Sequence, residues 1–252
     1  AKGDLNKGMR YSPAPMLTIS KIRAITLDLD DTLWPIWPAI DRAEIALVTW
    51  LAEHAPRAAP TFADAGARVA VRQHVLATRP ELGHDMSAVR REILRHVLHH
   101  AQEDVALVDP AFEVFFAARM KVDLYEDALP ALAFMAARWP IIAVSNGNAD
   151  VGRVGIGAYF KGSFSASLFG VGKPDPRIFH AAASSVQVNP DEVLHIGDDA
   201  ALDVLGGLNA GMQTVWLNRD AQAWSHSERP HASVATLHEL CDLLRDIPAS
   251  RV

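Results

Sequence analysis

A short acidic segment, Asp28-Leu29-Asp30-Asp31-Thr32, carries residue types that can bind a divalent metal ion. It closes the apolar run Ala24–Leu29, which is typical of a buried strand. Burying several carboxylates beside such a strand is costly unless a cation or hydrogen bonds compensate. If the chain turns here, one ion can be reached by the side chain of either Asp28 or Asp30 and by the backbone carbonyl of the other. Such oxygen ligands suit Mg2+. The alternative is a solvated turn in which one of the last two residues caps a helix.

A second acidic group follows another apolar run, Val193–Ile196. Asp198 and Asp199 come directly after this run and its glycine, and Asp203 lies four residues beyond Asp199. Asp198 is placed to complete the metal site, and Asp199 or Asp203 could bond Lys173 or a metal-bound water. In the alternative, one of Asp198 and Asp199 is the N-cap of the next helix.

Two further segments carry groups that can bind an anion. Ser145-Asn146-Gly147-Asn148 follows the run Ile141–Val144, and a hydroxyl with backbone N–H groups at a strand-to-loop corner can hold a phosphate. Lys173 lies on a loop held by two prolines, where its ammonium could neutralise phosphate charge. Taken singly, these are also an ordinary turn and a solvated lysine. Together with the acidic groups they form a specific pattern of acid, hydroxyl, lysine and acid in chain order.

The elements that must position these groups are short strands alternating with helices. Thr214–Leu217 is the fourth apolar run, and all four lack alternation, as expected for parallel strands covered on both faces. Helices are predicted over Asp127–Ala137, from the N-cap Asp175 through Ser184, and over Asp199–Ala210 before Gly211. The alternation predicts an α/β, doubly wound, Rossmann-like, mostly parallel sheet. Ligands of such sheets bind beyond the carboxyl ends of the strands.

The stretch from residue 35 to residue 122 contains no convincing strand and several amphipathic helices. Apolar residues share one helical face in two places, at Ile40, Ala43, Leu47, Trp50 and Leu51, and at Met86, Val89, Ile93 and Val97. Thr61 with Asp64 predicts a capping box. Asp109 before Pro110 predicts the start of a helix that carries Phe112, Phe115 and Phe116. The sequence therefore predicts an all-helical domain inserted between the first two strands.

The composition excludes several classes of function. Half of the 252 residues are hydrophobic, which is enough for a core domain and a smaller companion, and the net charge of -6 gives no basic field for nucleic acid. Cys241 is the only cysteine, so no internal disulfide can form, which fits the cytoplasm. No apolar run is long enough to cross a membrane. Residues 1–8 have no signal-peptide core and are expected to be a non-native extension before Met9.

In its motifs the sequence resembles the haloacid dehalogenase-like hydrolase superfamily. The match runs from about Ile22 to the C-terminus and includes the four motifs of the superfamily in chain order: DxDxT at 28–32, serine at Ser145, lysine at Lys173, and GDD at 197–199. The resemblance implies an N-terminal tail over residues 1–20, a core domain over residues 21–34 and 123–252, and a helical cap domain over residues 35–122.

The resemblance also implies a Mg2+-dependent phosphatase. Asp28 would attack phosphorus and form an aspartyl-phosphate, while Asp30 would protonate the leaving alcohol and later activate water. The phosphate would be bound by Ser145, Asn146 and Lys173. The Mg2+ ion would be held by Asp28, the backbone carbonyl of Asp30, and Asp198. Around these ligands the supporting residues would be Thr32, Asp199 and Asp203.

Four segments that lie outside the motifs or extend beyond them resemble the bacterial flavin mononucleotide phosphatases, namely residues 9–11, 139–140, 145–149 and 195–199. That group also dephosphorylates 5-amino-6-(5-phospho-D-ribitylamino)uracil, so the resemblance implies a small phosphorylated substrate. The protein is expected to be a monomer or a homodimer. The cap matches that group much less clearly. The alternatives are a phosphomutase, a non-catalytic binding protein of the same fold, and a 2-haloacid dehalogenase. Dehalogenases lack the second aspartate, so Asp30 argues against the last.

Some other features have simpler interpretations. Three histidines share one predicted helix, at His96, His99 and His100. Two of them are spaced for zinc binding, but an exposed helix face is favoured because no metalloprotease glutamate accompanies them. Trp34 and Trp37 flank the entry to the insertion and are expected to pack there rather than stack on a substrate. Trp216 is expected in the core.

Overall fold

A computed structural model of the protein, which describes residues 15–245, contains one six-stranded sheet. The strands are β1 (Ala24–Leu27), β2 (Ile141–Ser145), β3 (Gly162–Ser165), β4 (Val193–Gly197), β5 (Gln213–Leu217) and β6 (Ala232–Val234). Their order is β3-β2-β1-β4-β5-β6, and every neighbouring pair is parallel. The predicted α/β, Rossmann-like parallel sheet is therefore confirmed.

The four strands predicted from apolar runs are the central strands of this sheet. Every residue of β1, β2, β4 and β5 is buried. The other two strands, β3 and β6, are not predicted by apolar runs; they lie at the two edges and are only partly buried. An edge strand has one open side, so it does not need the continuous apolar run that identified the others. β1 also ends at Leu27, two residues before the predicted end.

From residue 35 to residue 122 the chain forms helices and no strand. These are α1 (Ile36–His54), α2 (Ala59–Ala63), α3 (Ala65–Thr78), α4 (Met86–His100) and α5 (Val108–Arg119). The predicted apolar faces meet in a hydrophobic cluster formed by residues of this stretch, among them Leu47, Val89 and Phe112. The helical insertion is present as predicted, while domain boundaries at residues 34/35 and 122/123 remain predictions.

The predicted capping box in this insertion is wrong. Asp64 lies between α2 and α3, and its carboxylate accepts the backbone N–H of Ala67 at 2.7 Å, so it caps α3. Aspartate is itself a favoured N-cap, and here it starts the next helix instead of closing a box with Thr61. Similarly, α5 begins at Val108, so that Asp109 lies in its first turn.

The remaining helices belong to the second half of the chain. They are α6 (Ala128–Ala136), α7 (Val151–Val154), α8 (Ala166–Phe169), α9 (Pro176–Ser185), α10 (Gly206–Asn209) and α11 (Leu237–Arg245). The Asp175 carboxylate accepts the Arg177 N–H at 3.0 Å, which confirms the predicted N-cap of α9. A π-helix, Ala200–Leu205, precedes α10, and Gly211 follows it with a φ of 79°.

No helix within residues 15–245 combines the length and the apolar character needed to span a membrane. Trp216 is buried in β5 as predicted, and Cys241 is buried in α11 as a free thiol. The predictions for residues 1–8, Met9 and the rest of the segment 9–11 fall outside the described residues.

Candidate active site

The carboxyl ends of three adjacent strands bring the predicted motif residues together. Asp28 follows β1, Ser145 ends β2 and Asp198 follows β4, and β1 lies between the other two strands. Lys173 reaches the same edge from the loop before α9. Its Nζ donates to Asp28 Oδ1 and, at 2.6 Å, to Asp203 Oδ1, and all three side chains are buried. Acidic groups from two strand ends therefore meet around one lysine.

Three carboxylates at this edge offer oxygen atoms that could hold a metal ion. One oxygen each of Asp28, Asp198 and Asp203 lies within 4.8 Å of the other two. Thr32 lies between two of them, with its Oγ1 3.0 Å from Asp198 Oδ1 and 3.4 Å from Asp28 Oδ2. Three carboxylates carry more negative charge than the ammonium of Lys173 can balance. Hard oxygen ligands with excess negative charge fit Mg2+.

The pKa values of Asp28, Asp198 and Lys173 also indicate an excess of negative charge at this edge. Burial raises the pKa of Asp28 well above its ordinary value, because the lowering effect of Lys173 is offset by two neighbouring carboxylates. Burial together with the charge of Asp203 raises the pKa of Asp198 to about 6. For Lys173, burial opposes the charged form, but Asp203 and Asp28 outweigh it and raise the pKa. Two of the acids are thus reluctant to ionise without more positive charge nearby.

Asp203 is oriented towards the lysine by a buried chain of hydrogen bonds. Its Oδ1 accepts from Lys173 and, at 3.1 Å, from His195 Nε2, while its Oδ2 accepts the Asp199 N–H at 3.0 Å. Since a carboxylate only accepts, His195 carries its hydrogen on Nε2, and its Nδ1 accepts from Thr26 Oγ1 at 2.8 Å. Both oxygens of Asp203 are therefore engaged by donors of the protein.

Burial would raise the pKa of the Asp203 carboxyl group. The ammonium of Lys173 and the hydrogen bond from His195 outweigh burial and lower this pKa to about 2. Burial is also the main reason that the pKa of His195 lies below its ordinary value. Asp203 therefore acts as a permanent anion that holds the lysine, with a neutral histidine behind it.

The three residues of the GDD motif, 197–199, have separate structural tasks. The Asp199 carboxylate accepts backbone N–H groups two and three residues further on, at 2.8 and 2.7 Å, so it caps the π-helix. This confirms the alternative in which one of Asp198 and Asp199 is an N-cap, while a supporting role of Asp199 at the metal site stays a prediction. At Gly197 a Cβ would lie 2.2 Å from Asp203 Cγ, so a glycine is required there. The backbone carbonyl of Asp198 accepts from Trp216 Nε1 at 2.7 Å, which fixes the position of this aspartate.

Ser145 and Asn146 lie at the predicted edge but differ in what they are free to bind. Ser145 Oγ accepts the Gly147 N–H at 2.9 Å, which leaves the hydroxyl hydrogen free for a phosphoryl oxygen. Asn146 uses both amide atoms on the backbone of Lys173, accepting its N–H at 2.7 Å and donating to its carbonyl at 2.8 Å. Its side chain therefore holds the lysine loop, while the second Nδ2 hydrogen is left for the phosphate contact, which stays a prediction.

Asp30 is held by two donors on one of its oxygens. Asp30 Oδ1 accepts from Trp34 Nε1 at 2.8 Å and from Arg119 Nη2, which forms an ion pair with it. The other oxygen, Oδ2, faces Gly147, where a Cβ would come within 2.4 Å of it and within 3.3 Å of Ser145 Oγ. The oxygen without a donor is thus directed towards the loop after β2.

Three further residues belong to this site that the sequence pattern did not predict, namely Arg119, His195 and Thr26. A signal for Arg119 existed, since it lies four residues after Phe115 and so shares the buried face of α5. A cation on a buried face needs an anion nearby. His195 sits within an apolar run that was interpreted only as a strand.

Two clefts adjoin the motif residues. One, of about 360 Å³, lies between the insertion and the core and is lined by Phe116 and Leu168 and by polar side chains, including Ser87, Asn148, Ser163, Ser165 and Ser167. The other, of about 190 Å³, includes Asp31, Tyr125, Asp198 and Arg219. Its wall is rigid because Arg219 makes a two-pronged ion pair with Asp127 at 2.9 and 3.0 Å.

The predictions for the other aromatic residues and histidines have mixed outcomes. Trp34 is buried, as expected for a packing residue, but Trp37 is 70% exposed, so the expected packing of Trp37 is wrong. The first turn of α1 leaves it facing solvent, one residue after the helix begins at Ile36. His99 and His100 are exposed on α4 as predicted, whereas His96 is half-buried against His74 of α3.

The fold and this edge define the class of the protein as an α/β protein with a parallel sheet, in which buried carboxylates follow the central strands. The family model described as haloacid dehalogenase-like hydrolase matches residues 22–211. The chain belongs to this family.

Named relatives of the chain within the family include phosphatases. The 5-amino-6-(5-phospho-D-ribitylamino)uracil phosphatase YigB of Escherichia coli is 32% identical over 90% of this chain and 98% of its own length. Human N-acylneuraminate-9-phosphatase is 26% identical over 91% of this chain and 96% of its own length. Among solved structures, one described as a 2-haloacid dehalogenase from Pseudomonas syringae has a TM-score of 0.84 and 37% identity, covering 89% of this chain and 98% of that one.

Proposed function

We propose that the protein is a Mg2+-dependent phosphatase that hydrolyses a small phosphate monoester through an aspartyl-phosphate on Asp28. The observation that carries this proposal is the buried pair of Asp28 and Lys173 beside the carboxylate of Asp198. An anionic nucleophile can approach an anionic phosphate only if cations offset both charges. Lys173 supplies one positive charge, and the excess of carboxylates fits a divalent ion as the other.

The residues divide the chemistry between them. Attack by Asp28 forms a bond to phosphorus and breaks the bond to the leaving oxygen, which takes a proton from Asp30. Asp30 then removes a proton from the water that hydrolyses the aspartyl-phosphate. Ser145 donates its free hydroxyl hydrogen to a phosphoryl oxygen. The ion, held by Asp28, Asp198 and the carbonyl of Asp30, would supply charge that stabilises the phosphoryl group.

The proposed substrate is flavin mononucleotide or a phosphorylated ribityl compound of riboflavin synthesis. The E. coli relative is named for such a substrate, and it aligns with nearly the whole chain. The cleft of about 360 Å³ also supports this proposal, because its serines and Asn148 can hydrogen-bond a polyhydroxylated chain. The helical insertion would serve as the cap that closes this cleft.

A panel of phosphate monoesters tests the proposal. With Mg2+ the wild-type protein should hydrolyse flavin mononucleotide and p-nitrophenyl phosphate, and EDTA should abolish turnover. Asp28→Asn should lower kcat by at least about 1,000-fold, because no nucleophile remains. Asp191→Asn, an exposed aspartate before β4, is the control. Full activity of Asp28→Asn, or turnover in EDTA, would refute the proposed mechanism.

A 2-haloacid dehalogenase is the second candidate, because the P. syringae structure is described as one. A halide leaves without a proton, so dehalogenation gives Asp30 no task. The candidate predicts halide release from 2-chloropropionate in EDTA, measured with a chloride electrode. Such release without phosphatase activity would favour the dehalogenase.

We also propose a cytoplasmic protein, since the only cysteine is an unpaired thiol, and a monomer or homodimer. Light scattering after gel filtration would measure the oligomeric state.

A further inference from the structure

Arg119, the last residue of α5, is a charged side chain enclosed in the protein. It is 1% exposed and is among the largest fully buried side chains of the described residues. Its Nη2 donates to Asp30 Oδ1, while its Nε and Nη1 have no hydrogen-bond partner within residues 15–245. A guanidinium has five N–H donors, so most of its capacity is unused.

This arrangement is poorly explained by stability alone. A buried ion needs several good partners to recover the free energy lost when it leaves water, and an apolar side chain of similar volume often stabilises a fold as well or better. Arg119 shares its helix face with Phe115 and Phe112, where an apolar residue would pack readily. Among residues 15–245, the hydrogen-bond partner of Arg119 is Asp30.

The ion pair decides which oxygen of Asp30 is free. Trp34 and Arg119 both donate to Oδ1, which leaves Oδ2 facing Gly147 and Ser145. Trp34 lies only four residues after Asp30, on the same turn. Arg119 comes from the far end of the helical insertion, so it ties the carboxylate to a different element.

We propose that Arg119 is a positioning residue for proton transfer, which holds Asp30 with Oδ2 directed at the leaving-group oxygen. This inference rests on the proposed phosphatase function, because it assigns to Asp30 the role of general acid. Through Arg119, the position of α5 in the insertion would set the position of the acid. Arg119 itself touches no reacting atom.

The test compares leaving groups, because a general acid matters most for a strongly basic one. kcat/KM is measured for flavin mononucleotide, whose leaving group is an alcohol, and for p-nitrophenyl phosphate, whose leaving group is a weak base. Asp30→Asn should lose about 100-fold or more on the alkyl phosphate and much less on the aryl phosphate. Arg119→Met should give the same pattern at about 10-fold, and Arg119→Lys should recover part of the loss.

A matched control separates acid positioning from loosening of the insertion. Arg153→Met removes the exposed ion pair between Arg153 and Glu113 of α5 but does not touch Asp30. Its kcat/KM should change by less than about 3-fold on both substrates. The melting temperature of each variant establishes that it is folded.

The double variant Asp30→Asn/Arg119→Met provides the decisive comparison. If Arg119 acts through Asp30, adding Arg119→Met to Asp30→Asn should cause no further loss. Additive losses, or equal losses of Arg119→Met on both substrates, would overturn the inference while leaving the phosphatase intact. If Asp30→Asn has no leaving-group dependence, the proposed role of Asp30 fails, and the inference fails with it.

Discussion

Lys173 is paired with two carboxylates in the interior, and its removal would leave both without a cation. We expect Lys173→Met to lower the free energy of unfolding of the metal-free protein by about 3–5 kcal/mol, since breaking a buried ion pair strands the remaining charge. Urea unfolding in EDTA measures this. Lys161→Met, at an exposed lysine, should change it by less than about 0.5 kcal/mol. Equal stabilities of the two variants would contradict the prediction.

Asp30 Oδ2 has room beside the loop after β2 because residue 147 is a glycine and has no side chain. We expect Gly147→Ala to displace the Asp30 carboxylate, because the new Cβ would lie 2.4 Å from Oδ2, and to lower kcat on an alkyl phosphate by about 10-fold or more. Steady-state kinetics measures the loss. Gly162→Ala is the control, since its Cβ meets nothing closer than 4.0 Å. Unchanged kinetics for Gly147→Ala would show that Asp30 does not need this position.

At the scale of elements, the site depends on how the loop after β2 holds the loop before α9. Asn146 makes two hydrogen bonds to the backbone of Lys173, and a Cβ at Gly172 would lie 2.4 Å from Asn146 Oδ1. The side chain of Asn146 thus fixes the lysine that the first strand end requires. Two loops that are 27 residues apart in the chain therefore act as one unit.

Loss of this contact should affect catalysis more than folding. We expect Asn146→Ala to lower kcat/KM by about 10–100-fold, because a small displacement of Lys173 weakens its contact with Asp28 and the phosphate. The loss should fall on phosphatase kinetics, with a smaller effect on the melting temperature. Asn189→Ala, at the N-cap of the short 3-10 helix Pro190–Glu192 that precedes β4, is the control. Equal kinetics for both variants would argue against a role for the Asn146 contact.

At the scale of the whole molecule, the carboxyl edge of the sheet concentrates negative charge that couples metal binding to pH. Without metal the pKa of Asp198 is raised to about 6, above its value near 3.8 in the unfolded chain. A raised carboxyl pKa means that the folded protein takes up a proton as the pH falls through about 6, which stabilises the metal-free fold relative to higher pH. A metal ion must displace that proton.

Stabilisation by Mg2+ should therefore depend on pH. A fixed Mg2+ concentration should raise the melting temperature of the wild-type protein. We expect this rise to be largest near pH 8 and to become smaller as the pH falls below about 6. Differential scanning fluorimetry from pH 5 to pH 8 measures it. Asp198→Asn should have a much smaller rise at every pH. A rise that is constant across this range would contradict the coupling between Asp198 and the ion.

The sequence by itself determined the central sheet and the order of the motif residues. Four continuous apolar runs predict buried parallel strands, and acidic groups directly after the β1 and β4 runs predict convergence at one edge, because parallel strands end on the same side. The helical insertion is predicted because its apolar residues recur at helical spacing, as at Val89, Ile93 and Val97. These features are local or follow from general rules of sheet topology.

The tertiary structure decided which partner each polar group takes. The sequence offers both Asp199 and Asp203 as partners of Lys173. Of these two, Asp203 bonds the lysine and Asp199 caps a helix. Arg119 reaches Asp30 across 89 residues of chain, and Asn146 bonds the backbone of Lys173. Hydrogen bonds depend on distances within a few tenths of an ångström, and spacing along a chain does not specify such distances between separate elements.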